Sequence, residues 1–305
     1  MSSENEPSLS AIMSERRRLI NLAYRLLGSL AEAEDAVQET YARWYAMSSE
    51  QQDAIENPGA WLTTVASRVC LDVLGSARAR RERYVGEWLP EPIPDHEEWI
   101  GGQPGSDPAD RVTLDESVGM AFMVVLDAMT PAERVAFILH DVFRYSFAEV
   151  GQIVGRSPAA CRQLASSARR RIRAAEAPAI PAAQQAALVR DFKQAWEAQD
   201  IQALMSILDP DATVIADGGG LVAATLVPVE GAEQIARFAV ELAIRATDMT
   251  FLERNVNGQP GLVIQQNGVT EAVFSFEFAD GRIKRIWAVR NPEKLRPWTA
   301  TDRPG

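Results

Sequence analysis

Apolar residues recur at three- and four-residue steps through the first part of the chain. Leu19, Leu22, Ala23, Leu26 and Leu27 form one stripe, which Gly28-Ser29 interrupts. A second helical pattern runs from about Ala31 to Met47. Asn57-Pro58 then reads as a cap and first helical position, opening a helix from about Gly59 to Leu74. Leu62, Val65, Ala66, Val69 and Val73 face one way on it, and Thr64, Arg68 and Asp72 share another face. Residues 86–112 lose the periodicity: five prolines and four glycines stand among acids, the composition of an extended linker. Helical spacing returns from about Val112 to Arg173, broken near Thr130-Pro131 and around Arg144-Tyr145-Ser146. Beyond an Ala/Pro-rich stretch, Gln184–Ala198 and Ile201–Leu208 read as helices. Alternating segments follow at Ala212–Ala216, Leu262–Gln266, Glu271–Phe278 and Arg282–Val289, with Ala279-Asp280-Gly281 as a hairpin turn. The expected fold class is multidomain: two all-α helical domains at 14–85 and 113–176, joined by the linker, then an α+β domain at 183–298.

Composition narrows the setting. The 305 residues are 47% hydrophobic, ample for buried cores, yet no stretch is long and apolar enough to cross a bilayer. The polar, acidic start MSSENEPSLS lacks the order of a signal peptide. Cys70 and Cys161 stand far apart inside helical patterns and read as reduced, buried thiols rather than a disulfide or metal site, so a cytoplasmic setting is expected. The net charge of −11 is unfavourable for binding free DNA, but it is unevenly spread. Arginines cluster at Arg78, Arg80, Arg81 and Arg83, and again at Arg162, Arg169, Arg170, Arg171 and Arg173, with an acidic stretch between. Two basic spots in an acidic background suit a specificity subunit whose larger partner supplies the general attraction.

The second cluster belongs to a helix-turn-helix pattern. Val150, Ile153 and Val154 supply the apolar side of the first helix, Gly155 the left-handed turn, and Ser157-Pro158 the cap and first position of the second. Arg162 and Gln163 lie where a recognition helix meets base edges, Arg169, Arg170, Arg171 and Arg173 are better placed for phosphates, and Ser157 at the cap is counted with the DNA-binding residues. Upstream, Asp35, Gln38 and Glu39 fall on one helix face.

With these motifs in place, residues 16–84 resemble the second conserved region of sigma-70 family factors, and 113–175 resemble the fourth. The absence of the other regions resembles the extracytoplasmic-function class. The resemblance implies that Asp35, Gln38 and Glu39 contact core RNA polymerase at the clamp helices of its largest subunit. It also implies that the helix from Pro58 and the following Gly75–Arg81 loop capture unstacked −10 bases, with Arg68, Asp72, Arg78, Arg80 and Arg81 as the reading residues and Trp61 as a weaker candidate whose own chemistry reads first as core packing. The helix-turn-helix would then read the −35 element.

Trp88-Leu89-Pro90, Asp217-Gly218-Gly219-Gly220 and Asn291-Pro292-Glu293-Lys294-Leu295 resemble the group of these factors with a fused SnoaL-like cone. The lysine that usually follows the glycines is Leu221 here, which puts the ion pair attributed to it in doubt. Beyond position 176 there is no histidine, tyrosine or cysteine, so Asp217 lacks an evident phenolic partner for isomerase chemistry and reads first as a turn residue. No catalysis, cofactor or metal is expected. The apolar Trp88-Leu89-Pro90 string is expected to pack near Asp217–Gly220 or Asn291–Leu295 and so regulate the factor without a membrane partner or separate anti-sigma factor. The alternative is a one-component helix-turn-helix regulator with a metabolite in the cone.

Overall fold

The computed structural model describes residues 6–81, 84–94, 119–175, 180–245 and 248–299, without the side chains of 6–14 and 77–81. The chain forms two compact units, Met1–Glu82 with Val125–Ala175, and Arg83–Val124 with Glu176–Gly305.

The first unit is helical. Helix α1 (Glu6–Leu27) closes at the break expected on Gly28, which takes a left-handed φ of 73°. Ser29 caps α2 (Leu30–Tyr45), which buries Ala33, Ala36, Val37, Thr40 and Trp44. A short α3 (Ser49–Asp53) with a Ser48–Gln51 capping box leads to α4 (Pro58–Arg81). Here the structure corrects the sequence reading: the helix runs on through Gly75 to Arg81 instead of yielding to a loop. A single helical glycine costs about 1 kcal/mol relative to alanine, which the following Ala/Arg-rich turn offsets. Trp61 packs edge-on against Trp44 at 5.2 Å, as core packing requires. Both cysteines are buried and free, and burial pushes the Cys70 thiol up to about 12.

Helices α5 (Met120–Asp127) and α6 (Pro131–Phe137), a π-helical turn at Ile138–Val142, α7 (Phe147–Val154) and α8 (Pro158–Ala175) follow. Arg134 is buried and ties the helices of this unit together. It donates to the Leu26 carbonyl at 2.7 Å and to Asp127 at 3.0 Å.

The second unit is α+β. Helices α9 (Ala182–Glu197) and α10 (Ile201–Ile207) precede β1 (Leu208–Asp217) and β2 (Val229–Glu230); then come α11 (Ala232–Arg245), β3 (Met249–Val256), β4 (Gln259–Gln266), β5 (Val269–Ala279), β6 (Arg282–Val289) and a last turn, α12 (Arg296–Thr299). The six-stranded order is β2-β1-β6-β5-β4-β3, and β1 and β6 are the parallel pair. Sequence reading missed β2, α11 and β3. The α11 signal was present, since Ile235, Ala236, Ala239 and Val240 form a buried stripe. Strand β3 is an edge strand alternating only weakly, with Phe251 and Val256 its buried residues.

Strand alternation splits the sheet into two apolar faces. Leu262, Ile264, Phe274, Phe276, Ile286 and Ala288 meet the helices on one side. Val263, Val273, Trp287 and Val289 point to the other, where Leu89, Met120, Leu295 and Trp298 cover them. The start of the linker is thus part of the second unit's core.

Candidate DNA and polymerase faces and a linker clasp

Burial on α2 leaves the opposite side to solvent. Asp35, Gln38 and Glu39 are all exposed on it, with Glu39 paired to Arg43 at 2.9 Å. The geometry brings these three together as expected. On α4, Arg68 and Asp72 are exposed, and the Arg68 guanidinium donates to the Gln152 carbonyl of α7 at 2.9 Å. The side chains of Arg78, Arg80 and Arg81 lie outside the described residues.

The helix-turn-helix forms as its sequence dictates. Ser146 and Glu149 make a reciprocal capping box at the start of α7, and Glu149 is held below the usual carboxylate range by its hydrogen bonds from Ser146. Gly155 adopts φ 69°, ψ 34°, closing the helix. A side chain at Gly151 would meet the Arg156 carbonyl at 2.6 Å, so the tight turn needs glycine there too. Ser157 accepts from the Ala160 amide at 3.2 Å, so its hydroxyl caps α8. Cys161, Ala165 and Ala168 are the buried stripe of α8, whereas Arg162 and Gln163 are exposed at its start. Arg162 lies over the Phe147 ring at 5.3 Å. Asp141 grips the Arg169 guanidinium through two hydrogen bonds, at 2.7 and 3.1 Å. Arg170 and Arg173 remain exposed on the same helix.

The densest polar construction lies in the second unit. Asp217, fully buried at the end of β1, accepts from the Tyr84 hydroxyl at 2.6 Å, the Leu89 amide at 2.9 Å and the Gly219 amide at 3.0 Å. Lys294, also buried, donates to Asp217 at 2.6 Å and to the Leu89 carbonyl. Its ammonium lies 4.1 Å from the centre of the Trp88 ring. Asn291 donates to the Tyr84 hydroxyl at 2.9 Å, and the Trp298 indole donates to the Pro92 carbonyl at 2.8 Å. Burial, and then the hydrogen bond to Asp217, raise the Tyr84 pKa above the ordinary phenol range. Directly after Pro92, Ile93 and Pro94 run beside β3: the Asn257 main-chain amide donates to the Ile93 carbonyl at 2.8 Å, and its side-chain oxygen accepts from the Ile93 amide at 3.1 Å. We call the whole arrangement the clasp.

Three sequence expectations change here. Asp217 is the hub of the clasp rather than a turn residue alone, and its phenolic partner exists, supplied by Tyr84 from outside the cone. Its ion pair also exists. The lysine comes from Lys294, while Leu221 is 61% exposed. The glycines have separate reasons. A Cβ on Gly219 would lie 2.6 Å from Asn291 Cγ, and one on Gly220 would lie 2.9 Å from Val85 of the linker. Both also have positive φ, 64° and 71°. Pro90 and Leu295 are buried, and Pro292 is exposed in the turn that brings Lys294 inward. Sequence reading missed Tyr84 and Trp298, since a lone tyrosine beside a basic run carries no pattern. Among the described residues no cluster of acids, histidines and cysteines is arranged to hold a metal.

Residues 11–81 match the family described as sigma-70 region 2, and residues 119–172 match sigma-70, region 4. The chain is 37% identical over 294 residues to the ECF RNA polymerase sigma factor SigJ of Mycobacterium tuberculosis, covering 92% of this chain and 90% of that protein. It is 31% identical over 299 residues to a probable ECF RNA polymerase sigma factor, SigI, of the same species, covering 98% of each. The crystal structure of SigJ superposes with a TM-score of 0.74 at 34% identity, covering 95% of this chain and 98% of that one. Two helical promoter-recognition regions followed by an α+β cone, matched over nearly the full length of these relatives, make the chain a member of the extracytoplasmic-function sigma factors of the sigma-70 family.

Proposed function

We propose that this alternative sigma factor docks on the clamp helices of the largest subunit of core RNA polymerase through the acidic α2 face, Asp35, Gln38 and Glu39. Arg68, Asp72, Arg78, Arg80 and Arg81 of α4 read the −10 element as single-stranded DNA. Arg162 and Gln163 of α8 read −35 base edges, with Ser157 and Arg170 on the backbone. Arg169 acts there by fixing α8 to the Asp141 turn. The third domain is a non-catalytic regulator that works by holding the linker, in the cytoplasm and without a separate anti-sigma factor.

The observation that carries the regulatory part is the buried Asp217–Lys294 pair wrapped around the Leu89 main chain. Taking two charges out of water is costly unless partners satisfy them, and every partner here comes from the linker or from the motifs that meet it. Holding residues 84–94 fixes where the chain leaving the −10-reading helix goes. It therefore limits how the two reading regions separate on a promoter.

Reversing the acidic face tests the polymerase part. Asp35→Lys with Glu39→Lys should reduce capture of core polymerase at least tenfold in a pull-down at physiological salt, while the circular dichroism spectrum stays unchanged. Undiminished capture would remove α2 from the docking assignment.

A further inference from the structure

We propose that the interior of the third domain is a binding site for a small molecule with an apolar body and a carboxylate end, and that its occupancy is felt by the clasp. The site itself stands apart from the regulatory reading above; the coupling rests on it.

A cavity of about 290 Å³ lies between the sheet and the helices of the second unit. Domain interiors pack as densely as organic crystals, and voids larger than a water molecule are few. An apolar cavity of roughly half this volume accepts one benzene ring, so this one suits a molecule of about twelve non-hydrogen atoms. Phe192, Trp196, Leu242, Phe274 and Ile286 form its apolar walls. The Trp196 indole N–H is already committed to the Ala239 carbonyl at 2.7 Å, so its single donor makes no demand on a ligand.

The main polar groups of the lining sit on two segments joined by a hydrogen bond, 223–225 and Arg290. Thr225 Oγ1 is buried there and has no hydrogen-bond partner among the described residues. Such an atom calls for an explanation, and a ligand oxygen supplies one. Arg290 lines the same region and uses one nitrogen on the Ala223 carbonyl. A guanidinium carries five donors in a planar fork that matches a carboxylate. Arg245, also at the lining, is largely exposed and paired with Glu241, which places it at the mouth.

The cavity and the clasp share three segments. Ala216 lines the cavity, and the next residue, Asp217, is the hub of the clasp. Arg290 lines it, and Asn291 holds Tyr84. Ala223, Ala224 and Thr225 line it, on the loop whose start, Gly219-Gly220, lies against Asn291 and Val85. A carboxylate that draws Arg290 inward therefore pulls on the loop and on the strand end that grip the linker.

The test uses the full chain labelled with 5-fluorotryptophan, titrated with 2-naphthoate, decanoate and the neutral 2-naphthylmethanol, followed by calorimetry and fluorine NMR. Saturable one-to-one binding of a carboxylate is expected, at least tenfold tighter than the alcohol, with a shift of the Trp196 resonance. Arg290→Leu should erase the preference for the carboxylate. Ala288→Phe and, independently, Ala224→Phe should abolish binding, with the Trp287 and Trp298 resonances on the other face of the sheet reporting an intact second unit. No saturable binding of either carboxylate to millimolar concentration, binding that survives both filling variants, or a preference that survives Arg290→Leu would overturn the site. Movement of the Trp88 resonance on binding supports the coupling. A shift at Trp196 with Trp88 static would sink the coupling while leaving the site in place.

Discussion

At Asp217 a carboxylate with no solvent exposure accepts hydrogen bonds from a phenol, two main-chain amides and an ammonium. Removing one member of such a buried pair strands the other, at a cost of about 3–5 kcal/mol, whereas apolar replacement of both is close to neutral. Asp217→Leu and Lys294→Met should therefore each lower the free energy of urea unfolding by that order, and the double variant should recover most of the loss. Additive losses in the double variant would show that the two residues act separately. Tyr84 gives a pH-dependent signature. Its folded-state pKa is raised, first by burial and then by Asp217, so its contribution is complete below the ordinary phenol value of about 10 and is lost as pH rises beyond it. The alkaline fall in stability should flatten in Tyr84→Phe. An unchanged alkaline limb would mean that the phenol ionises as freely in the folded chain as in the unfolded one.

Among the elements, α7 and α8 follow from local chemistry that a reader of the sequence can see: a Ser/Glu capping box, a left-handed glycine, and Ser-Pro at the next helix start. Substituting Arg162 or Gln163 by alanine should cost about 1–3 kcal/mol of discrimination at −35 positions, roughly tenfold or more in relative promoter occupancy, read by footprinting the holoenzyme on matched and mismatched promoters. Equal losses on both promoters would make these residues phosphate contacts. The α2 face and the HTH turn were legible for the same reason, because helical periodicity and caps are written within a few residues. The clasp was legible only in part. Its three strings stood out, but the roles of Asp217, Tyr84 and Lys294 arise from pairings across 77 to 133 residues that no local pattern encodes. The extension of α4 past Gly75 was missed because one breaker was given more weight than the helix formers after it. Arg169 was assigned by charge alone, and only its fold neighbour Asp141 reveals that it is paired.

For the whole molecule, the packing within the first unit matters most. Arg134 joins Leu26 and Asp127, and Arg68 of α4 is engaged with the main chain of α7. Two promoter elements about 25 base pairs apart lie roughly 85 Å from each other along B-form DNA, far beyond the reach of helices in direct contact. If α4 and α8 read the two elements as proposed, this arrangement is a closed one, and reading both requires α4 and α7 to part. Under the proposed function the linker governs that separation, and the third domain holds its residues 84–94. The most direct test is in vitro transcription with core polymerase, comparing the full chain with Lys294→Ala at matched holoenzyme concentration. The account predicts initiation that depends on the chain at sites carrying both elements, with output or spacer-length preference altered at least several-fold in the variant. Identical output and spacer preference from the two proteins would contradict it.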